Sequence, residues 1–480
     1  MNIILGYGDL PGTVSGSSDY RIHIPFEGIN TYTVHRAEEY SLNYDLQKII
    51  ERSEWADAFI IERNLFGDVF NVVKWLKERY PSKAFITTFD DGYHHVTRDV
   101  PIYDFWVDRH VKDLEGKTVT LEYDPLKQFL ECLPYFDEAF VANRKLVEDY
   151  SPYTKTIYVP SYQRTAPFLR AKRVRTDDEI LIGWGAGESH HRSISRSAVL
   201  EALRRIMREY PHVHFFLRAG KRIQEETKIK LEGLMDRVVM REKAFVGDDW
   251  PQHLVNLDIG LAVLSSHSKF DARRSWLKIS EYMLTKVPFV AAKSPTYMDY
   301  YDYGLFAETE EEWYQALKTI VEDRQAYKER YLDKAFKFAC SMDIKHHVDQ
   351  DYIGRIEAIL NAKGWDWREH RDLNAPVPVQ NDLVLPAKEA VQYLLKRGSQ
   401  HFEGGEYQAA IADFNQVIGI APGISAAHSM LSLAYFALGR LALAEEEANK
   451  AIELAPNDPQ PKSTLKMVLA ARKKSMDKFL

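Results

Sequence analysis

The chain has 480 residues, 45% of them hydrophobic and 12% aromatic, which is material for more than one packed domain. Its formal net charge of −7 speaks against a dedicated nucleic-acid binder, which needs a basic face. Two cysteines, Cys132 and Cys340, exclude a disulfide framework and a cysteine-rich zinc site, and no apolar run reaches the ~20 residues of a membrane span. The expectation is a reduced, cytoplasmic chain, with peripheral membrane contact left open.

Residues 2–5 predict a first strand, not a signal peptide, and a glycine-punctuated loop follows. Such a loop brings backbone N–H groups near a phosphate or is a plain surface loop; its spacing is not that of a dinucleotide fingerprint. Helices over 44–52 and 69–78 alternate with strands over 57–61 and 83–88. A strand over 138–142, a helix over 144–150 and a strand over 155–159 follow. This alternation predicts an α/β, doubly wound parallel sheet. Asp90 and Asp91 come directly after the strand 83–88, where such sheets place their ligands. A solvated turn capped by Asp90 is the plainer reading. Residues 95–135 are irregular and aromatic-rich, and no site is assigned there.

A charged connector leads to a strand over 180–184, the loop GWGAGESHHRS and a helix over 193–210. Gly185 permits close backbone approach of a ligand, and His190 and Arg192 stand in the same loop, which otherwise reads as a solvated turn. The strand 212–218 ends near Arg218 and Lys221, cations that either neutralise phosphate or sit on the surface. A short strand over 238–242, a helix over 250–257 and a buried strand over 258–264 lead into FDARRSWLKISEYMLTKVPFVAAK. Arg273, Arg274 and Ser275 open a helix there. Lys278 stands one turn on and Glu281 one turn further, and Pro288 stops the helix within the run 287–292, a buried strand. Free N–H groups and the dipole at the helix start favour an anion, and Arg274, Ser275 and Lys278 add charge-assisted donors. Glu281 would repel phosphate but suits a diol such as ribose. Phosphate grip plus diol acceptor describes a nucleotide-sugar site; an ordinary amphipathic helix with a solvated basic start is the alternative.

Beyond helices over 308–320, 324–340 and 344–360, residues 372–385 hold no hydrophobic period and read as a proline-bearing linker. Gly405 and Gly439, Ala410 and Ala444, and Pro422 and Pro456 then recur at a spacing of 34 residues. The small alanines let paired helices pack closely. This tail resembles a pair of tetratricopeptide repeats with a closing helix, which implies a protein partner or a stabilising extension.

The Arg274–Pro288 pattern resembles the nucleotide-sugar helix of glycosyltransferase family 4 (glycosyl transferases group 1), retaining enzymes with the GT-B fold. The family pattern is a cation and serine, Leu-Lys, Glu-Tyr, then Val-Pro before an apolar strand. Here those residues are Arg274, Ser275, Leu277, Lys278, Glu281, Tyr282, Val287 and Pro288. Gly183, Trp184, Gly185, Gly187, Ser189 and His190 are similar to the opening of the family's donor domain. Where many members carry a further glutamate, this chain has Arg273.

The resemblance implies two Rossmann-like domains facing a cleft. Residues 1–165 form the acceptor domain and 166–371 the nucleotide-sugar domain with a return helix, followed by the linker 372–385 and an all-α repeat domain, 386–480. It implies Gly12 facing the cleft, Phe245 and Val246 beside the base, and Asp90 and Asp91 toward the acceptor or the transferred sugar. The implied activity is metal-independent, retaining transfer from a UDP- or GDP-linked sugar to a glycan, lipid or protein. Asp90, Asp91, Arg274 and Lys278 are its catalytic candidates. Arg273 keeps a non-catalytic scaffold as the alternative. TFDDGY is also similar to the first motif of metal-dependent polysaccharide deacetylases, but His94 and His95 do not have that chemistry's spacing.

Overall fold

The structure is a computed structural model that describes residues 1–9, 17–98, 100, 102–112, 117–186, 190–241, 249–368, 387–421, 423–438, 440–456 and 459–476. The chain begins with β1 (Asn2–Tyr7), β2 (Arg36–Ser41), β3 (Ala58–Glu62) and β4 (Ala84–Phe89). An antiparallel pair, β5 (His110–Lys112) and β6 (Thr118–Thr120), stands apart before β7 (Glu138–Val141) and β8 (Thr156–Tyr158). The first sheet is parallel throughout, in the order β2-β1-β3-β4-β7-β8. The second is built from β9 (Ile180–Ala186), β10 (Val213–Ala219), β11 (Val238–Arg241), β12 (Ile259–Ala262), β13 (Phe289–Ala292) and β14 (Leu305–Ala307). It too is parallel, in the order β11-β10-β9-β12-β13-β14.

β3, β4, β12 and β13 are buried along their whole length, which is why their sequences are near-continuous apolar runs. β2 is different. Its sequence RAEEYS has no apolar run because it is an edge strand with charged side chains half-exposed. Within the expected irregular stretch 95–135 the chain forms the helix Pro125–Cys132, started by Asp124, whose side chain accepts from Lys127 N–H. Phe129 of that helix packs edge-on against Phe89 and Tyr150, so these aromatics are core.

Leu5, Ile60 and Ile86, on the other side of the first sheet, are covered by a segment that comes after the second sheet in sequence. Ile344, Val348, Tyr352, Ile356 and Leu360 lie on it, in the turns Ile344–His346 and Val348–Ile353 and the helix Gly354–Ala362. Arg355 donates two hydrogen bonds of 3.0 Å to Glu138, and Lys363 Nζ reaches Asp137 at 2.6 Å. The chain therefore crosses between the sheets twice.

Arg21 is fully buried in the first domain and has no carboxylate partner among the described residues. Its guanidinium donates to Thr88 Oγ1 and the Val159 carbonyl at 2.8 Å and to the Phe140 carbonyl at 2.9 Å. It ties the segment Asp19–His23 to the ends of β4, β7 and β8. Arg21→Met removes these charged donors, and the expected loss is about 2–4 kcal/mol. The urea midpoint of the first unfolding transition checks this; a shift equivalent to less than about 0.5 kcal/mol contradicts it.

The described residues of the C-terminal part form five helices, Ala387–Glu403, Tyr407–Ile420, Ser425–Ala437, Leu441–Leu454 and Pro459–Met476, each packed on the next. Ala410 and Ala444 are fully buried, as the expected close approach of paired helices requires. The array docks on the first domain. Arg397 donates to Tyr44 Oη at 2.6 Å, and the Tyr44 ring packs against Val391, Leu394 and Val417.

Candidate functional site between the two sheets

Open parallel sheets bind ligands at the carboxyl ends of strands, where the strand order reverses. Here the reversals lie between β1 and β3 and between β9 and β12. Residues from both places meet around the segment 271–281.

That segment differs in detail from the sequence expectation. Asp271–Arg273 is a single tight turn, Arg274 is extended, and the α-helix runs only over Leu277–Leu284. The two arginines and Ser275 thus precede the helix, and Lys278 lies in its first turn. Trp276 sets this boundary. It is buried, its ring stacks on Tyr300 at 5.0 Å, and its Nε1 donates to the Ser161 carbonyl at 3.2 Å. The helix's rotation is fixed by Tyr282, whose Oη donates to the Leu261 carbonyl on β12 at 2.9 Å. A Cβ at Gly260 would stand 2.3 Å from the Tyr282 ring, so glycine is needed for this approach.

Lys278 Nζ donates to the Gly185 carbonyl at the end of β9. Burial lowers its pKa, opposed by Glu281. Glu281 is itself buried, with one partner on each oxygen: Oε1 accepts from Tyr20 Oη at 3.1 Å and Oε2 from Trp250 Nε1 at 2.9 Å. Burial raises its carboxyl above the usual range, with Lys278 acting the other way. Tyr20 belongs to the first domain, so this hydrogen bond crosses the cleft.

Arg274 also crosses it. Its Nη1 lies 3.3 Å and 3.4 Å from the two oxygens of Asp91, and its guanidinium stands 4.6 Å over the Phe270 ring. Asp91 follows β4, as the sequence places it. Burial pushes its carboxyl up to about 6, Arg274 opposing and Asp90 reinforcing. Asp90 is buried, and its Oδ1 has no hydrogen-bond partner among the described residues. Beside it Arg63 pairs with Asp9 and with Glu62, a fully buried residue at the end of β3 that also accepts from Gly8 N–H at 2.6 Å.

Arg273, at the position where the family resemblance expects a glutamate, is used as an interdomain contact. It holds Asp149 with two donors, one of them at 2.9 Å. Asn143 Nδ2 donates to the carbonyls of Ala272 at 3.3 Å and Arg274 at 3.0 Å, and Gln163 Nε2 to Ser280 Oγ at 3.0 Å. The first domain therefore grips this segment from residue 272 to residue 280.

The remaining expected site residues are placed as follows. The Trp250 ring lies against Gly185, where an added Cβ would be 2.2 Å away, and buried Arg218 is 5.8 Å from the same ring. His190 Nδ1 is 3.5 Å from Ser193 Oγ. Ser275 is partly exposed before the helix, and Lys221 is exposed at the start of Lys221–Lys230. Gly12, Phe245, Val246 and the side chain of Arg192 lie outside the described residues. His94 and His95 direct their Nε2 atoms toward Asp149, not toward the Asp90–Asp91 pair.

Residues 401–467 match the tetratricopeptide repeat family model. The two facing parallel sheets with a returning last helix complete the picture. The chain is a GT-B fold with a tetratricopeptide-repeat extension. Comparison with curated protein sequences finds no match. Among solved structures it is similar to TarM, at 14% identity over 66% of this chain and 57% of that one, with a TM-score of 0.46. It is also similar to the pneumococcal O-GlcNAc transferase GtfA in complex with UDP and GlcNAc, at 12% identity over 63% and 57%, TM-score 0.43. A third is a glycosyltransferase from Rickettsia africae, at 9% identity over 75% and 98%, TM-score 0.49. This chain thus spans 57% of the length of each of the first two. No helix among the described residues is long and apolar enough to cross a membrane.

Sequence reasoning missed Tyr20, Trp250, Asn143, Asp149, Glu62 and Arg63. For Glu62 and Arg63 a signal existed: two opposite charges directly after the apolar run AFII, at a strand's carboxyl end. Tyr20 and Trp250 carry no local signal, since each acts through a partner distant in the chain.

Proposed function

We propose that this chain is a glycosyltransferase that moves a sugar from a UDP- or GDP-linked donor to a glycan, lipid or protein acceptor, without a metal ion. The observation that supports this best is the placing of Arg274 and Lys278, two cations at the carboxyl ends of the second sheet, opposite Asp90 and Asp91. A departing diphosphate needs positive charge where its own charge develops, held in place beforehand. Arg274 exchanges Asp91, and Lys278 the Gly185 carbonyl, for phosphate oxygens. Gly185, His190, Arg192, Arg218, Lys221 and Ser275 belong to the donor side of this reading, with Gly12, Phe245 and Val246. Glu281 takes the ribose hydroxyls. Asp91 accepts the proton of the acceptor hydroxyl while the oxygen of that hydroxyl bonds the anomeric carbon and the bond to the diphosphate breaks. Because Asp91 and Arg274 are neighbours, a diphosphate held by Arg274 lies beside Asp91, so the acceptor approaches from the face that the diphosphate leaves, as retention requires. The repeats would carry a protein partner.

Calorimetry with UDP and GDP tests the reading. In the present arrangement Tyr20 donates to one oxygen of Glu281, so a ribose hydroxyl competes with it there. Tyr20→Phe removes this competitor and is expected to tighten nucleotide binding about fivefold, ~1 kcal/mol. The second reading, a non-catalytic scaffold, is favoured by the mutual pairing of these side chains across the cleft. It requires that neither nucleotide diphosphate bind the wild type or the Tyr20 variant.

A further inference from the structure

His94, His95 and Asp149 form a cluster for which sugar transfer has no use. The histidines lie on the turn Tyr93–His95 and Asp149 on the helix Arg144–Tyr150, both in the first domain. The imidazole rings are 4.0 Å apart. His94 Nε2 is 3.7 Å and His95 Nε2 3.6 Å from Asp149 Oδ2, and one ligand atom from each residue lies within 4.8 Å of the others. Ligand atoms about 2.0–2.1 Å from a tetrahedral ion stand about 3.3 Å from one another. A contraction of a few tenths of an ångström would bring each nitrogen to that spacing from the Asp149 oxygen.

Two further features suit a metal. His94 Nδ1 is 2.8 Å from Tyr150 Oη, which orients the ring as outer hydrogen bonds orient metal-bound imidazoles. His95 Nε2 is buried and has no hydrogen-bond partner among the described residues. We propose that His94 Nε2, His95 Nε2 and an Asp149 oxygen form a binding site for a divalent transition ion of the zinc or cobalt class, in competition with Arg273. Two imidazoles and one carboxylate suit such ions, whereas magnesium and calcium prefer oxygen ligands throughout. Arg273 holds both Asp149 oxygens, and a guanidinium and a dication on one carboxylate repel. Since Arg273 comes from the second domain, capture of the ion releases one of the contacts that hold the domains together.

Cobalt(II) titration of the full chain, read by its visible absorption, tests this, with magnesium as the control. One equivalent of cobalt is expected to bind with a tetrahedral spectrum that magnesium does not displace. Tyr150→Phe and His95→Ala, each checked for folding by circular dichroism, are expected to weaken binding at least about tenfold. Arg273→Ala is expected to tighten it by a similar factor. No tetrahedral spectrum in either the wild type or the Arg273 variant overturns the proposal. So does a spectrum that His95→Ala and Tyr150→Phe leave unchanged.

Discussion

Lys278→Met is expected to lower turnover about a hundred- to a thousandfold, ~3–4 kcal/mol of transition-state stabilisation, while the fold survives. The charge on a diphosphate leaving group grows as the sugar bond breaks, so a cation beside it acts mostly on the transition state. The effect should therefore fall on kcat, with KM changed little. Two opposite terms make the change mild for folding. The variant loses the hydrogen bond from Nζ to the Gly185 carbonyl, and it also loses a charge that its surroundings disfavour. The net stability change is expected to stay within about 1 kcal/mol. A linkage signature accompanies it. The folded pKa of Lys278 lies below the ordinary lysine value of 10.5, so between the two the unfolded chain binds the extra proton. Wild-type stability gains a contribution as pH rises through that window, and the Met variant lacks it. A kcat within threefold of wild type would remove Lys278 from the chemistry.

What the sequence disclosed and what it concealed follow from the range of the interactions. β4, β9 and β12 could be read because both faces of a central parallel strand are buried and their residues announce it. The repeats could be read because their packing is local and recurs with one period. β2 could not, since an edge strand needs no apolar run. The start of the helix Leu277–Leu284 is hidden in the sequence for a related reason. Two arginines and a serine look like a capped helix start. The boundary is set instead by Trp276, through Tyr300 and through Ser161 of the other domain. The family pattern found Glu281 but not that Tyr20 and Trp250 already occupy it, because those partners converge only in the folded chain. Arg273 shows the converse. As a departure from a motif it argued for lost activity. In the structure it is an interdomain ion pair with Asp149, which explains a cation at that position without reference to catalysis.

Asp91→Asn is expected to have the larger effect of the two cleft substitutions, about 10²–10⁴-fold on kcat/KM, since it removes the proposed proton acceptor outright. The change is nearly isosteric, so the pH profile separates chemistry from packing. In the wild type Asp91 is protonated below about 6, where it cannot take a proton, and ionised above. Its kcat/KM should rise through pH ~6 and then level, and this limb should vanish in the variant. Stability runs the opposite way. A carboxyl raised from 3.8 to about 6 by burial favours the folded state when protonated, and that contribution is lost as pH rises from about 3.8 through about 6. At pH 7 asparagine restores a neutral group to the site, so the variant should unfold no more easily than the wild type. A variant that is inactive and also markedly less stable at pH 7 would instead assign Asp91 to holding Arg274, and with it the two domains, in register.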